Sequence, residues 1–234
     1  MLFEVGPVFK GSKPGEQSTM ISAIKTGKYS RKNWIEKERS FDVFDIKNDA
    51  LRTLNEIGFD NLKIVVSNRT KKWYHPGRSG LLSLGSTNSL ELAYFGEIHP
   101  SIIKRLDLRT DNVLGFEIFL DNIPEASKKI REIKPQFLVS DYQKVVRDFA
   151  FVIDEKYSSG EIISLVQKID KELIKVVKIF DVYQGDNIDT GKKSIAFSVT
   201  LEPKDKTLSE NDIEQISKKI ISEVQESTGA TLRS

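Results

Sequence analysis

Cysteine is absent from all 234 residues. That excludes disulfide staples and thiolate metal sites. Histidine is nearly absent too: His75 and His99 are the only two, little material for histidine-based metal or triad chemistry. No apolar run reaches the roughly 18 residues that a membrane-spanning helix needs, and no secretory signal opens the chain. The expectation is a soluble, cytoplasmic protein with no membrane partner. Charge of one sign is also lacking, because 36 Lys and Arg face 34 Asp and Glu for a net +2. The basic footprint of many nucleic-acid binders is therefore missing. It is missing most clearly near the end of the chain, where residues 140–234 carry 14 Lys and Arg against 17 Asp and Glu. No phosphate-cradling glycine loop is present either.

What is there suffices for a core, with 38% hydrophobic residues, and falls into two blocks of different pattern. The first begins abruptly in a strand, Leu2 to Phe9, as a piece of a longer protein would. A second strand is expected over Ser18 to Lys25, then a loop or short helix over Gly27 to Arg39. Asp42 to Gly58 reads as a helix. Asp42 can cap its start and Gly58 can end it, and Phe44, Lys47, Leu51 and Leu54 recur at three-four spacing beside Val43, Ala50 and Ile57. A short β-rich run over 62–67 precedes two tight turns around an exposed His75 and Arg78. Strands over Leu90 to Phe95 and Val113 to Leu120 flank a short helix, Ser101 to Leu106. His75 with Arg78, and His99 near Glu97, have the residue types of acid–base chemistry. A His-Pro turn and a histidine at a helix start favour structural roles instead.

Residues 123–139, Lys-rich between Pro124 and Pro135, read as a linker between a domain over 1–122 and one over 140–234. Beyond it the pattern is strand, helix, strand, strand, helix, strand. The strand is Val145 to Asp154. The first helix runs from Ser159 to Leu173, with Ser158 and Glu161 forming a capping box and Ile162, Val166, Ile169 and Leu173 a stripe. Next comes a hairpin, Val176 to Tyr183 and Gly191 to Leu201. The second helix spans Glu210 to Ser227 with Ile213, Ile216, Ile220 and Val224 inward, and Ala230 to Arg233 forms a last strand. This order is the ferredoxin-like β-α-β-β-α-β split, so the fold class is α+β, with both helices on one face of the sheet.

The hairpin is the candidate site. Ile195, Phe197, Val199 and Leu201 alternate with Ser194, Ala196, Ser198 and Thr200, as in a strand with one buried face. In the partner strand the same period pairs Phe180 with Val182 and sets Asp181 and Tyr183 on the other side. Asp181, Tyr183 and Ser194 are then expected together on the open face, where a ring can stack a base and a carboxylate or hydroxyl can bond its edge. The plain alternative is a solvated surface ring. Lys192 and Lys193 in the hairpin, and Lys128, Lys129 and Arg131 in the linker, are candidate phosphate contacts or merely solvated lysines and arginine.

The pieces Tyr142-x4-Arg147-Asp148-Phe149-Ala150-Phe151-Val152, Phe180-Asp181-Val182-Tyr183-x-Gly185, Gly191-Lys192-Lys193-Ser194-Ile195-Ala196-Phe197 and Gly229-Ala230-Thr231-Leu232-Arg233 resemble the anticodon-binding domain that ends the beta subunit of bacterial phenylalanyl-tRNA synthetases. Leu2-Phe3-Glu4-x-Gly6, Phe44-Asp45-Ile46-Lys47, His75-Pro76-Gly77-Arg78-Ser79, Gly96-Glu97-Ile98-His99-Pro100 and Phe116-Glu117 resemble the same subunit's catalytically silent class II synthetase-like domain. The resemblance implies an antiparallel-sheet domain, partial here, followed by the ferredoxin-fold domain. It implies tRNA(Phe) and a catalytic alpha subunit as partners in an α2β2 assembly. ATP and Mg2+ belong to the parent enzyme, and this fragment itself is expected to hold no cofactor, metal or catalytic residue. By resemblance Asp181, Tyr183 and Ser194 read the first anticodon base, a guanine, and Arg147 is a further tRNA contact. Where the family carries a second arginine and a proline, this chain has Val146 and Gln143, which removes an arginine pair. A ferredoxin-like small-molecule regulatory module and a structural interaction domain remain as other classes.

Overall fold

A computed structural model describes residues 1–30, 32–59, 64–85, 90–110, 112–124 and 140–233. They divide into two compact units, Met1–Pro135 and Gln136–Ser234. Most of the expected linker, with Lys128, Lys129 and Arg131, lies outside the described residues.

The first unit is built on an antiparallel six-stranded sheet ordered β1-β2-β6-β5-β4-β3. Its strands are β1 (Leu2–Phe9), β2 (Gln17–Lys25), β3 (Ile64–Ser67), β4 (Tyr74–Leu84), β5 (Leu90–Ile98) and β6 (Leu114–Phe119). Helix α1 (Val43–Glu56) packs on one face, and α2 (Pro100–Arg105) follows β5. Asp42 caps α1, accepting from the Phe44 and Asp45 N–H groups, and Asp45 returns the bond to complete a capping box. The buried face of α1 is Ile46, Ala50 and Leu54, set against Leu82, Leu92, Phe95, Phe116 and Ile118. Phe44, expected in that stripe, is 72% exposed. Two residues before Ile46 at about 100° per residue, it points away from the sheet. The segment read as two turns is instead the start of β4. The strand arches at His75 to Arg78, and its register against β5 jumps between Tyr74 and Ser79.

In the second unit a four-stranded antiparallel sheet has the order β10-β7-β9-β8, made of β7 (Val145–Asp154), β8 (Ile174–Tyr183), β9 (Lys192–Leu201) and β10 (Thr231–Leu232). Helices α3 (Ser159–Ile169) and α4 (Glu210–Thr228) complete the ferredoxin-like order. Phe149, Phe151, Ile195, Phe197 and Val199 meet Ile162, Val166, Ile216, Ile220 and Val224 in one core. Helix α3 stops at Ile169, four residues before the expected end. The Asp170 carboxylate accepts from the Glu172 and Leu173 N–H groups, which turns the chain, and Leu173 packs on the core from the connection to β8.

Ser209 caps α4 and Asp212 closes a capping box. Bonds from the Ser209 hydroxyl and N–H, helped by Lys206, lower the Asp212 carboxyl from its ordinary 3.8 to about 2. A lowered carboxylate stabilises the fold above its unfolded pKa, and the contribution is lost as pH falls through the folded one. Asp212→Asn should therefore lower the melting temperature at pH 7. Its deficit against the parent should shrink between pH 3.8 and about 2. A deficit unchanged over that window would show that the charge contributes nothing.

Candidate nucleic-acid interface

Strands β8 and β9 position the candidate residues. Register pairs Tyr183 with Ser194 and Asp181 with Ala196, and on the other side of β9 Val152 lies opposite Ser194. Directly paired residues share a face of the sheet, so Asp181, Tyr183 and Ser194 stand together on the face opposite α3 and α4, as expected. The alternation that brings them there is interrupted one residue earlier. The pairing jumps between Ile179 and Asp181, leaving Phe180 as a bulge. Phe180 is 56% exposed because a bulged residue has no partner in the ladder, and Val182, though paired with Ile195 on the helix side, is 49% exposed as well.

The Tyr183 ring is partly exposed and anchored. Its hydroxyl donates to the Asp186 carbonyl oxygen at 3.1 Å. Gly185 lies against the ring at φ +157, where a Cβ would come within 2.9 Å of the tyrosine hydroxyl oxygen. A glycine two residues after the tyrosine is thus what lets the ring lie over its own turn. Asp181 is exposed beside it. Ser194 is different: it is only 3% exposed, beneath the sheet's surface side chains, and its hydroxyl accepts from Arg233 Nη1 at 3.3 Å. The Arg233 backbone N–H donates to the Ala150 carbonyl oxygen, and β10 pairs with β7, so the guanidinium is delivered across β7. Arg233 is the residue that the hairpin pattern missed. Its signal was the terminal Thr231-Leu232-Arg233 run, which carries no hint of reaching a serine 39 positions earlier.

Arg147 does not join this group. It pairs with Val199 and shares its face with Phe149 and Phe151, at an exposed end of the strand. Lys192 and Lys193 sit beyond the ring and already have partners. Lys192 bonds Asp189 at 2.8 Å, which raises the ammonium pKa and lowers the carboxyl, and Lys193 donates to the Glu155 carbonyl oxygen at 3.2 Å.

Both histidines in the first unit serve the backbone. His75 Nδ1 accepts from the Gly77 N–H at 3.0 Å, and His99 Nδ1 accepts from the Ser101 N–H at 3.2 Å, capping α2. Arg78 is held by Glu97, with Nη2 to Oε1 at 2.9 Å. Among the described residues no group of three or more His, Cys, Asp or Glu is placed to hold a metal ion, and no helix is long and apolar enough to cross a membrane.

A ferredoxin-like sheet with a ring, a carboxylate and a guanidinium on the face opposite its helices has the build of a base-reading module, and residues 140–233 match the family described as "ferredoxin-fold anticodon binding domain". Residues 1–120 match the family described as "phenylalanyl tRNA synthetase beta chain CLM domain". The chain belongs to the phenylalanyl-tRNA synthetase beta chain family. It is 42% identical over its whole length to the phenylalanine–tRNA ligase beta subunit of Rhodospirillum rubrum. It is 40% identical over 99% of its length to that of Paramagnetospirillum magneticum, and 41% over 99% to that of Bradyrhizobium diazoefficiens. It spans 29% of the length of each of these relatives.

Proposed function

We propose that the uncovered face of the second unit binds the anticodon loop of tRNA(Phe), as the recognition part of a phenylalanine–tRNA ligase. Tyr183 stacks on the first anticodon base. Asp181 accepts from the N1–H and N2–H2 of guanine, and Arg233, braced on Ser194, supplies positive charge beside the ring. The observation that carries this reading is the Tyr183–Ser194 pairing with Asp181 on the same face and Arg233 over the serine. Arg147, Lys192 and Lys193 lie apart from the ring and enter only as contacts to flanking phosphates.

The first unit, on this reading, is the silent support of a catalytic alpha subunit in an α2β2 enzyme of the cytoplasm. The alpha subunit carries the ATP- and Mg2+-dependent chemistry, and this chain supplies no catalytic residue. The side chains of Leu2, Phe3, Val5 and Phe9 on edge strand β1 are exposed, as a surface made for a protein partner would be.

The test is binding of the chain to a tRNA anticodon stem-loop carrying GAA, against one with the guanine replaced, at two salt concentrations. Tyr183→Ala is expected to weaken GAA binding about 5- to 150-fold, the worth of one base–aromatic stack. Asp181→Ala is expected to erase the preference for guanine. Weak binding that ignores the base and vanishes with salt would reduce the interface to phosphate attraction. GAA binding unchanged by Tyr183→Ala would sink the reading.

A further inference from the structure

The face of the six-stranded sheet opposite α1 holds a feature that tRNA recognition does not use. There β2, β5 and β6 border a cavity of about 470 Å3. Ser18, Met20 and Ser22 follow one another at period two along β2 and all line it. Phe119 pairs with Met20, and Glu117 pairs with Ser22, so the floor runs from a serine, over a methionine and a phenylalanine, to a glutamate. Trp73 forms part of the wall.

Two polar groups in this cavity are incompletely served. Ser18 is 5% exposed, and its hydroxyl oxygen has no hydrogen-bond partner. A buried hydroxyl left unpaired is unfavourable, and such groups in folded proteins call for an explanation. Glu117 is largely withdrawn from water. Burial pushes its carboxyl above the ordinary carboxylate range, against the opposing pull of the Trp73 indole and Lys71. Among the described residues no Lys or Arg comes within ion-pair distance of it. The other carboxylate in the wall is already engaged: Glu91 accepts from the Tyr94 hydroxyl at 2.8 Å and from Arg69 at 2.9 Å. Ser22 lies four residue steps along β2 from Ser18, about 13 Å at 3.3–3.4 Å per residue. The two incompletely served groups therefore lie at opposite ends of an apolar trough. Lys10, just past the end of β1 and two positions beyond Ser18's partner Val8, lines the cavity together with Ser18, which disfavours a second cation at that end.

We propose that this cavity binds an elongated small molecule with an ammonium group at one end and a neutral hydrogen-bonding group at the other. Glu117 takes the ammonium, Ser18 the neutral polar end, and Met20, Phe119 and Trp73 the apolar middle. The occupant supplies a direct ion-pair partner for a carboxylate that otherwise has only the Trp73 indole and the more distant Lys71 charge, which also lines the cavity, and a partner for an orphaned hydroxyl.

The probe is 6-amino-1-hexanol, titrated into the 234-residue chain. Heat is followed by calorimetry, and Trp73 fluorescence is followed in a Trp34→Phe background that removes the chain's other tryptophan. Saturable binding is expected. It should be at least tenfold tighter than that of hexan-1-ol, which lacks the cation, and of 1,6-diaminohexane, which places a second cation near Lys10. 6-Hydroxyhexanoate, an anion, should not bind. Glu117→Gln should lower the affinity for the amino alcohol at least tenfold and leave hexan-1-ol unaffected. Ser18→Ala deletes an unpaired buried hydroxyl, so it should fold at least as stably as the parent, and it should make 6-amino-1-hexanol and hexylamine bind equally. Three results would each overturn the proposal: no saturable response to the amino alcohol, equal binding of the carboxylate probe, or a Ser18→Ala protein that still prefers the amino alcohol over hexylamine.

Discussion

Phe197→Ala is expected to destabilise the second unit by about 3–5 kcal/mol, the usual cost of emptying a buried phenylalanine site. Phe197 is fully buried in the middle of β9. Its ring packs between Phe149 and Phe151, with centroids at 5.7 and 5.8 Å. Both neighbours belong to β7, and the register fixes Phe197 opposite Phe149. A ladder holds those backbones in place, so the site cannot close up around the missing ring, and a cavity remains. The loss is read as a lower midpoint in urea, with hydrogen-exchange protection falling along β7, β8 and β9. Such a loss approaches the whole stability of an ordinary domain. It therefore also predicts that anticodon binding fails in this variant through unfolding, unlike Tyr183→Ala, which removes a partly exposed ring and should keep the fold. A midpoint unchanged in Phe197→Ala would mean that the three-ring cluster is not a determinant of the core.

Gly96→Ala should be of similar severity in the first unit, for a different reason. Gly96 lies where β5 passes the arch of β4, paired with Ser79 on one side and Gly115 on the other. Its φ is +153, and a Cβ there would sit 2.3 Å from Ser79 Cβ, 2.6 Å from Ser79 Cα and 2.8 Å from the Arg78 carbonyl oxygen. Two of those atoms are strand backbone and the third, a Cβ, is fixed by it, so relief requires moving the β4–β5 ladder rather than turning a side chain. Backbone strain of about 1–3 kcal/mol and overpacking of about 1–3 kcal/mol act together, and about 3 kcal/mol or more should be lost in thermal or urea unfolding. The same substitution at Gly27, which also has positive φ but meets nothing within 4 Å, should cost only the conformational strain. A Gly96→Ala protein no less stable than Gly27→Ala would refute the steric account.

Helices and their capped starts were legible in the sequence because they depend on neighbours within a few positions, whereas the end of α3 was set by the Asp170 turn. Asp42 and Ser158 cap their helices as read, and the clean alternation of β9 gave its buried face residue by residue. The joint placement of Asp181, Tyr183 and Ser194 was legible too, since all three lie beyond the bulge and period two holds there. Local pattern misled where a distant partner decides. Phe180 is as apolar as Val182, but the ladder with β9 skips it. Phe44 matches a helical stripe, but the direction of the sheet selects Ile46, Ala50 and Leu54. The arch at His75 to Arg78 reads as a turn until β5 is seen pairing on both sides of it.

The sequence by itself therefore determined the two patterns, the caps, the strand faces and the family signature, all carried by spacing along the chain. Only the tertiary structure decided that Ser194 is buried under Arg233 and that Arg147 faces away from Tyr183. It alone placed Ser18 and Glu117 at two ends of one cavity. Each of those facts depends on which strand lies beside which and in what register. That is set by packing and ladder hydrogen bonds between residues far apart in the chain, where local spacing carries no information.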